Sequence, residues 1–220
     1  MAYLRFIRAN RLFLLAGFLL TFTSSYGQTY FISLFAGDLK DAFSLSDGQW
    51  GGIYTIGTTL SAITMVWAGV LTDKFRVRRL SFWVMVALAA ACLAMAMVPN
   101  WIALVFVIYA LRLTGQGMMS QLGAVAMVRW FEATRGKALS LSSMGFAMGQ
   151  AVLPVVFVAL FASFHWRSLW VLAAGLVLLV VVTLATVLAP RPGTPGPYVA
   201  VALADLAVVG LTRLTPEGSA

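Results

Sequence analysis

Six apolar runs, each long enough to cross a lipid bilayer, follow one another along this 220-residue chain with only short polar turns between them. A hydrocarbon core about 30 Å thick takes about 20 apolar residues of helix. The runs fall at about 11–37, 50–71, 80–98, 101–128, 138–164 and 169–189. Inside lipid every backbone N–H and C=O must be satisfied within the protein, which leaves helices as the way to build such runs. The expected fold is therefore an all-α membrane protein with six transmembrane helices. Composition agrees: at 61% hydrophobic and 10% charged residues, a soluble core could not be covered with polar surface.

The turns carry the orientation. Arg5, Arg8 and Arg11 precede the first run, and Lys74, Arg76, Arg78 and Arg79 follow the second. Arg129, Arg135 and Lys137 follow the fourth, and Arg191 follows the sixth. The alternate turns hold only Lys40 and Arg167, with Asp38, Asp41 and Asp47 beside the former. The positive-inside rule then puts both ends in the cytoplasm, as an even number of spans requires. The first run exceeds the roughly 7–15 residues of a signal-peptide core and lacks a small-residue cleavage site, so it reads as a retained helix. Ser46-Asp47-Gly48-Gln49 has the form of a capping box and marks the start of the second helix.

A net charge of +8 does not point to nucleic acid, because the cations sit between apolar runs and not along one helical face. A single Cys92 within an apolar run and a single His165 in a loop provide neither a disulfide framework nor a metal cluster, and no cofactor is implied. An intramembrane Ser–His protease needs a base beside its serine. Here the histidine lies outside the spans, and Ser140, Ser142 and Ser143 lack a G-x-S-x-G setting, so the chain does not read as an enzyme. A channel or a structural membrane protein is the rival class, since polar-lined bundles serve those too.

Polarity varies along the spans with a period of three. The third and sixth are plain runs of Ala, Val, Leu and Met. The first carries Thr21, Thr23, Ser24, Ser25, Tyr26, Gln28, Thr29 and Tyr30; the fourth carries Arg112, Thr114, Gln116, Ser120 and Gln121. That is the weak internal symmetry of a 3+3 inverted repeat, with spans one and four lining a cavity and three and six against lipid. The substrate-pathway candidates are Arg112, Gln116, Gln28, Tyr26, Tyr30 and Gln150. Spacing by two scatters Tyr26, Gln28 and Tyr30 around a helix, and Gln150 beside Gly149 has either the cavity or a helix contact to face. Gly51, Gly52, Gly57, Gly145 and Gly149 read as sites of close helix approach.

Arg112 is the costliest residue. It lies near mid-bilayer and costs at least about 2.5–3.5 kcal/mol on insertion scales unless it faces partners or water. Its planar fork suits bidentate contact with a carboxylate, which implies an organic anion as ligand. The other role open to it is structural, bonded to polar groups of its own bundle. Gln116, one turn on, is placed to share a ligand or to orient the guanidinium.

Five motifs in order carry a resemblance. Gly69-Val70-Leu71-Thr72-Asp73-Lys74-Phe75-Arg76-Val77-Arg78-Arg79 packs five charges into its last seven residues. It resembles the G-x-L-x-D-[RK]-x-G-[RK]-[RK] signature of the major facilitator superfamily of secondary transporters. Arg112-Leu113-Thr114-Gly115-Gln116-Gly117 resembles the R-x-x-x-G pattern of the fourth span in that family. Trp130-Phe131-Glu132-Ala133-Thr134-Arg135-Gly136-Lys137-Ala138 is similar to the W-F-x-x-x-R-G-x-A loop of monocarboxylate and organic-anion members. Gly145, Gly149 and Pro154 loosely match a Gly/Pro-rich fifth span, and His165-Trp166-Arg167-Ser168-Leu169-Trp170 resembles the G-W-R-x-x-F turn into the sixth.

The resemblance covers residues 1 to about 190 and implies the N-terminal six-helix bundle of that fold. It also implies a bacterial cytoplasmic (inner) membrane location and alternating-access transport of a small solute, with a coupling proton or ion possible. Gly69, Asp73, Lys74, Arg78 and Arg79 are implied as a conformational switch. The signature's glycine is replaced by Arg76, and its next basic position by Val77, so the turn is expected to be shaped differently. Pro190 to Pro197 reads as a helix-ending linker, and the apolar run 198–211, with Asp205, is short for a span. Residues 191–220 are thus read as a cytoplasmic linker or truncated tail, and the chain as half of a carrier. Its partner would be a missing C-terminal half or, in a half-size carrier, a second copy.

Overall fold

The computed structural model describes residues 2–187, and among them there is no strand. Six helical stretches have the length and apolarity to cross a membrane: Arg5–Gly27, Asp47–Lys74, Val77–Ala96, Trp101–Trp130, Arg135–Phe161 and Trp166–Thr186. The helices are α1 (Ala2–Thr23), α2 (Thr29–Ser33), α3 (Ala36–Phe43), α4 (Asp47–Lys74), α5 (Val77–Ala96), α6 (Trp101–Leu111), α7 (Ser120–Trp130), α8 (Arg135–Phe161) and α9 (Trp166–Val187). The segment 191–220, read above as a tail, lies outside the described residues.

The first span is not the single helix expected over 11–37. α1 passes into a 3₁₀ turn at Ser24–Gly27, Gln28 is extended (φ −80°, ψ 152°), and the helix restarts as α2. The local chemistry explains the break. The hydroxyls of Thr23 and Ser24 donate back to the carbonyls of Leu19 (2.7 Å) and Thr21 (2.6 Å), competing with the helical ladder. Nearer its start, α1 kinks at Asn10 (φ −114°, ψ 16°), where the side-chain amide donates to Phe6 O at 3.1 Å.

α4 begins at the capping box. Ser46 Oγ accepts from Gln49 N at 3.2 Å and Gln49 Oε1 accepts from Ser46 N at 2.9 Å. Such a cap contributes about 1 kcal/mol. Beside it, Lys40 Nζ donates to Asp47 Oδ1 at 2.7 Å, and this bond holds the lysine above its usual pKa.

Packing follows span pairs. α1 lies along α8, where Ser142 Oγ donates to Gly17 O (2.9 Å) and Thr21 Oγ1 donates to Ser142 O. A Cβ at Gly145 would collide with Phe18 and Thr21 of α1, and one at Gly149 with Ser25 of the 3₁₀ turn, so both glycines fulfil the close-approach role. Gly57 does so against α6, whereas Gly51 and Gly52 face open space. α5 lies along α9, and Arg167 joins them by donating to Ala96 O (2.8 Å) and Val98 O (3.2 Å) while stacking on Trp166. These bonds take up carbonyls that the end of α5 leaves unpaired.

Spans three and six, expected against lipid, each bury one face inside the bundle. Their plain Ala, Val and Leu surfaces pack on each other as readily as on lipid, and 50% and 39% of their apolar stretches are buried. The most exposed spans are two and five, with only 17% and 22% of their apolar stretches buried.

Candidate functional site

The two polar spans meet where both depart from the α-helix. The fourth span widens into a π-helix over Arg112–Met119, between α6 and α7. π-segments inside helices occur frequently at functional sites. Opposite this segment lies the break of the first span. A Cβ on Gly27 would strike the Leu111 carbonyl and lie 2.7 Å from Gly115 Cα, while one on Gly115 would lie 2.6 Å from Gly27 Cα. Backbone meets backbone here, and only glycine fits on either side. The Thr114 hydroxyl donates to Ala110 O at 2.6 Å as the helix widens.

Arg112 opens the π-segment and is buried, 8% exposed. Its Nη1 donates to Thr29 Oγ1 at 2.9 Å, just past the break, and its guanidinium carbon sits 5.8 Å from the centre of the Tyr54 ring of α4. Its Nε is buried with no acceptor among the described residues. Gln116 Oε1 and, on α4, Tyr54 OH and Thr58 Oγ1 are also buried without a partner. Every carboxylate among the described residues lies at or beyond a span end: Asp38, Asp41, Asp47, Asp73 and Glu132. Arg112 therefore has no acidic counterpart within the described bundle. A guanidinium at mid-span with one bond and no acidic partner is costly unless further groups or water satisfy it.

The other sequence candidates separate. Gln28 is buried at the break and its Nε2 lies 3.4 Å from Ser120 Oγ, joining the two irregular segments. Tyr30 is half-buried, edge-on to Phe146 at 6.2 Å. Tyr26 is 2% exposed and packs into the core against Phe31 at 5.2 Å, with no bond to Arg112. Gln150 is exposed on α8, beside buried Gly149. Gln116 makes no bond to Arg112, so it does not orient the guanidinium here. Sequence reasoning counted Thr29 only among the polar residues of the first span and missed Tyr54 and Thr58. Their only signal was polarity within apolar runs.

At the cationic end, Asp73 Oδ1 accepts from Arg129 Nη2 at 3.1 Å, tying the end of α4 to the end of α7. Both side chains are exposed, 79% and 38%. Arg129 entered the sequence reading only as a topological cation. A Cβ on Gly69 would make only ordinary contact with the Gln121 amide, at 3.5 Å, so the packing here does not require glycine. Lys74 and Arg79 are exposed and Arg78 half-buried. The missing glycine of the turn has a simple resolution: Phe75 (φ −111°, ψ 153°) and Arg76 (φ −63°, ψ 125°) are extended, a conformation any residue adopts.

No curated protein matches the sequence. A family model described as Major Facilitator Superfamily matches residues 17–211, beginning within α1 and running past the point near residue 190 where the motif resemblance ended. With six membrane-spanning helices, a broken first span against a widened fourth and a charged turn after the second, the chain belongs to the major facilitator superfamily of membrane transporters.

Proposed function

We propose that this bundle carries a small organic anion, of the monocarboxylate class, and that Arg112 binds it. The observation that supports this reading is the unpaired Nε of Arg112 beside the unpartnered Gln116, Tyr54 and Thr58. Nη1 is committed to Thr29, which leaves the Nε–Nη2 edge of the fork for a carboxylate. Gln28 and Tyr30 flank Thr29 on the broken first span and complete the pathway. Tyr26 and Gln150 do not belong to it.

Transport then follows alternating access, with a second six-helix bundle opposed to this one. The exposure of α4 and α8 supports their faces as the contact, supplied by a C-terminal half or a second copy. Asp73 and Arg129 form a latch between spans two and four, with Gly69, Lys74, Arg78 and Arg79 around it. An exposed pair contributes at most about 1 kcal/mol, small enough to be made and broken within a transport cycle. The cationic turns face the cytoplasm.

The test is counterflow of radiolabelled monocarboxylates into membrane vesicles in which the protein is paired with its opposed six-helix bundle, compared with Arg112→Lys. Saturable counterflow lost by tenfold or more in the lysine variant is expected, because an ammonium lacks the fork. Undiminished counterflow in Arg112→Lys rejects the bidentate site.

A further inference from the structure

We propose a second ligand site in this chain: a pocket for an anionic phospholipid at the cationic end of the bundle, formed between α1, α5, α7 and α9. It shares no residue with the Arg112 site and does not rest on the transport reading.

A cavity of about 880 Å³ opens there. Four cations, Lys74, Arg76, Arg78 and Arg79, lie along it. The nearest acid in sequence, Asp73, is already engaged by Arg129, and no ion pair among the described residues involves the four. Ser81 also lines the cavity; it is 6% exposed and its Oγ has no partner among the described residues. A buried hydroxyl left unbonded costs free energy until an acceptor arrives. Cations plus an orphan donor call for an anionic oxygen group such as a phosphodiester.

The rest of the wall selects a lipid over a free anion. Beside the cations the lining is apolar, with Leu20, Met85, Trp130, Val181 and Leu184. Met85 lies six residues beyond Arg79 on α5, about 9 Å deeper at 1.5 Å per residue. A free phosphate has no use for that depth, whereas an acyl chain fills it. Trp83, 61% exposed at the same mouth, is a residue type that sits at the headgroup level. Basic pockets between helices at a membrane surface hold acidic lipid headgroups on the same physical grounds.

The purified protein in detergent, titrated with dioleoyl phosphatidylglycerol and followed by native mass spectrometry, tests the site. Phosphatidylglycerol is expected to bind more tightly than phosphatidylcholine of the same chains. Each cation near the headgroup is worth about fivefold in affinity, so Arg76→Gln/Arg78→Gln/Arg79→Gln should lose about a hundredfold. Ala185→Trp, a change at an exposed wall residue that leaves all four cations, should also weaken binding by blocking the acyl chain. Lys137→Gln, at the same end but outside the cavity, should leave it unchanged. Equal binding of the two lipids, or equal loss from Lys137→Gln, would overturn the proposal by showing unspecific attraction. Retained affinity in Ala185→Trp, or full competition by water-soluble glycerol phosphate, would overturn it by showing an anion site without a lipid.

Discussion

Replacing Gly27 by alanine tests whether the meeting of the broken first span with the widened fourth holds the bundle together. The added methyl would strike the Leu111 carbonyl and come within 2.7 Å of Gly115 Cα. Both obstacles are backbone, so no side-chain rotation relieves them. Gly27 needs no unusual φ, so the cost is one of space. Overpacking costs about 1–3 kcal/mol, and a contact that cannot rotate away belongs near 3. That corresponds to a roughly 150-fold shift toward the unfolded state. Gly52→Ala, in open space within α4, is the matched control and should lie between neutral and about 1 kcal/mol more stable. Reversible unfolding in mixed detergent micelles, followed by far-UV circular dichroism, gives both numbers. Gly115→Ala should cost as much as Gly27→Ala, and the double variant less than their sum, because they crowd the same space. A Gly27→Ala protein within about 0.5 kcal/mol of wild type would refute the close approach on which the site geometry depends.

Arg167→Ala should destabilise the protein by about 1.5–3 kcal/mol in the same assay, since it removes two charged hydrogen bonds to the end of α5; an effect below 0.5 kcal/mol would contradict the cap. Asp73→Asn and Arg129→Gln should each slow transport while leaving substrate affinity nearly unchanged, and a double-mutant cycle on stability should couple them by at most about 1 kcal/mol. A large loss of affinity would move the pair into the binding site. Cysteines placed at Lys74 and Arg135 should resist an impermeant thiol reagent in whole cells while those at Asp41 and Arg167 react; the reverse pattern would invert the topology.

Much of the architecture was legible because it follows from local chemistry. Membrane-length apolar runs gave the spans, and Ser46 with Gln49 gave the start of α4 from four adjacent residues. Features built from distant residues were hidden. The break at Ser24–Gln28 looked like a polar stretch of helix, because nothing in Ser-Ser-Tyr-Gly-Gln shows that Gly27 must reach Gly115. The π-segment was equally silent, since its residues also suit an α-helix. Arg129 was visible as a charge, but its link to Asp73, 56 residues away, was not. Tyr26 and Tyr30 looked alike by spacing. The 3₁₀ turn between them changes the angular relation, so one enters the core and the other does not. Plainness of sequence suggested that spans three and six face lipid, yet apolar surface is matched as well by another helix, and only packing decides.

The most direct measurement is equilibrium binding of a monocarboxylate and of its uncharged amide isostere to the purified protein. The free edge of Arg112 requires an anion, and a charge-assisted bidentate contact is worth about 1.5–3 kcal/mol, roughly 10- to 150-fold. The carboxylate should therefore bind at least tenfold more tightly than the amide, and Arg112→Gln should erase the difference. Equal affinity for the two ligands, or a preference that survives Arg112→Gln, would contradict Arg112 as the anion site.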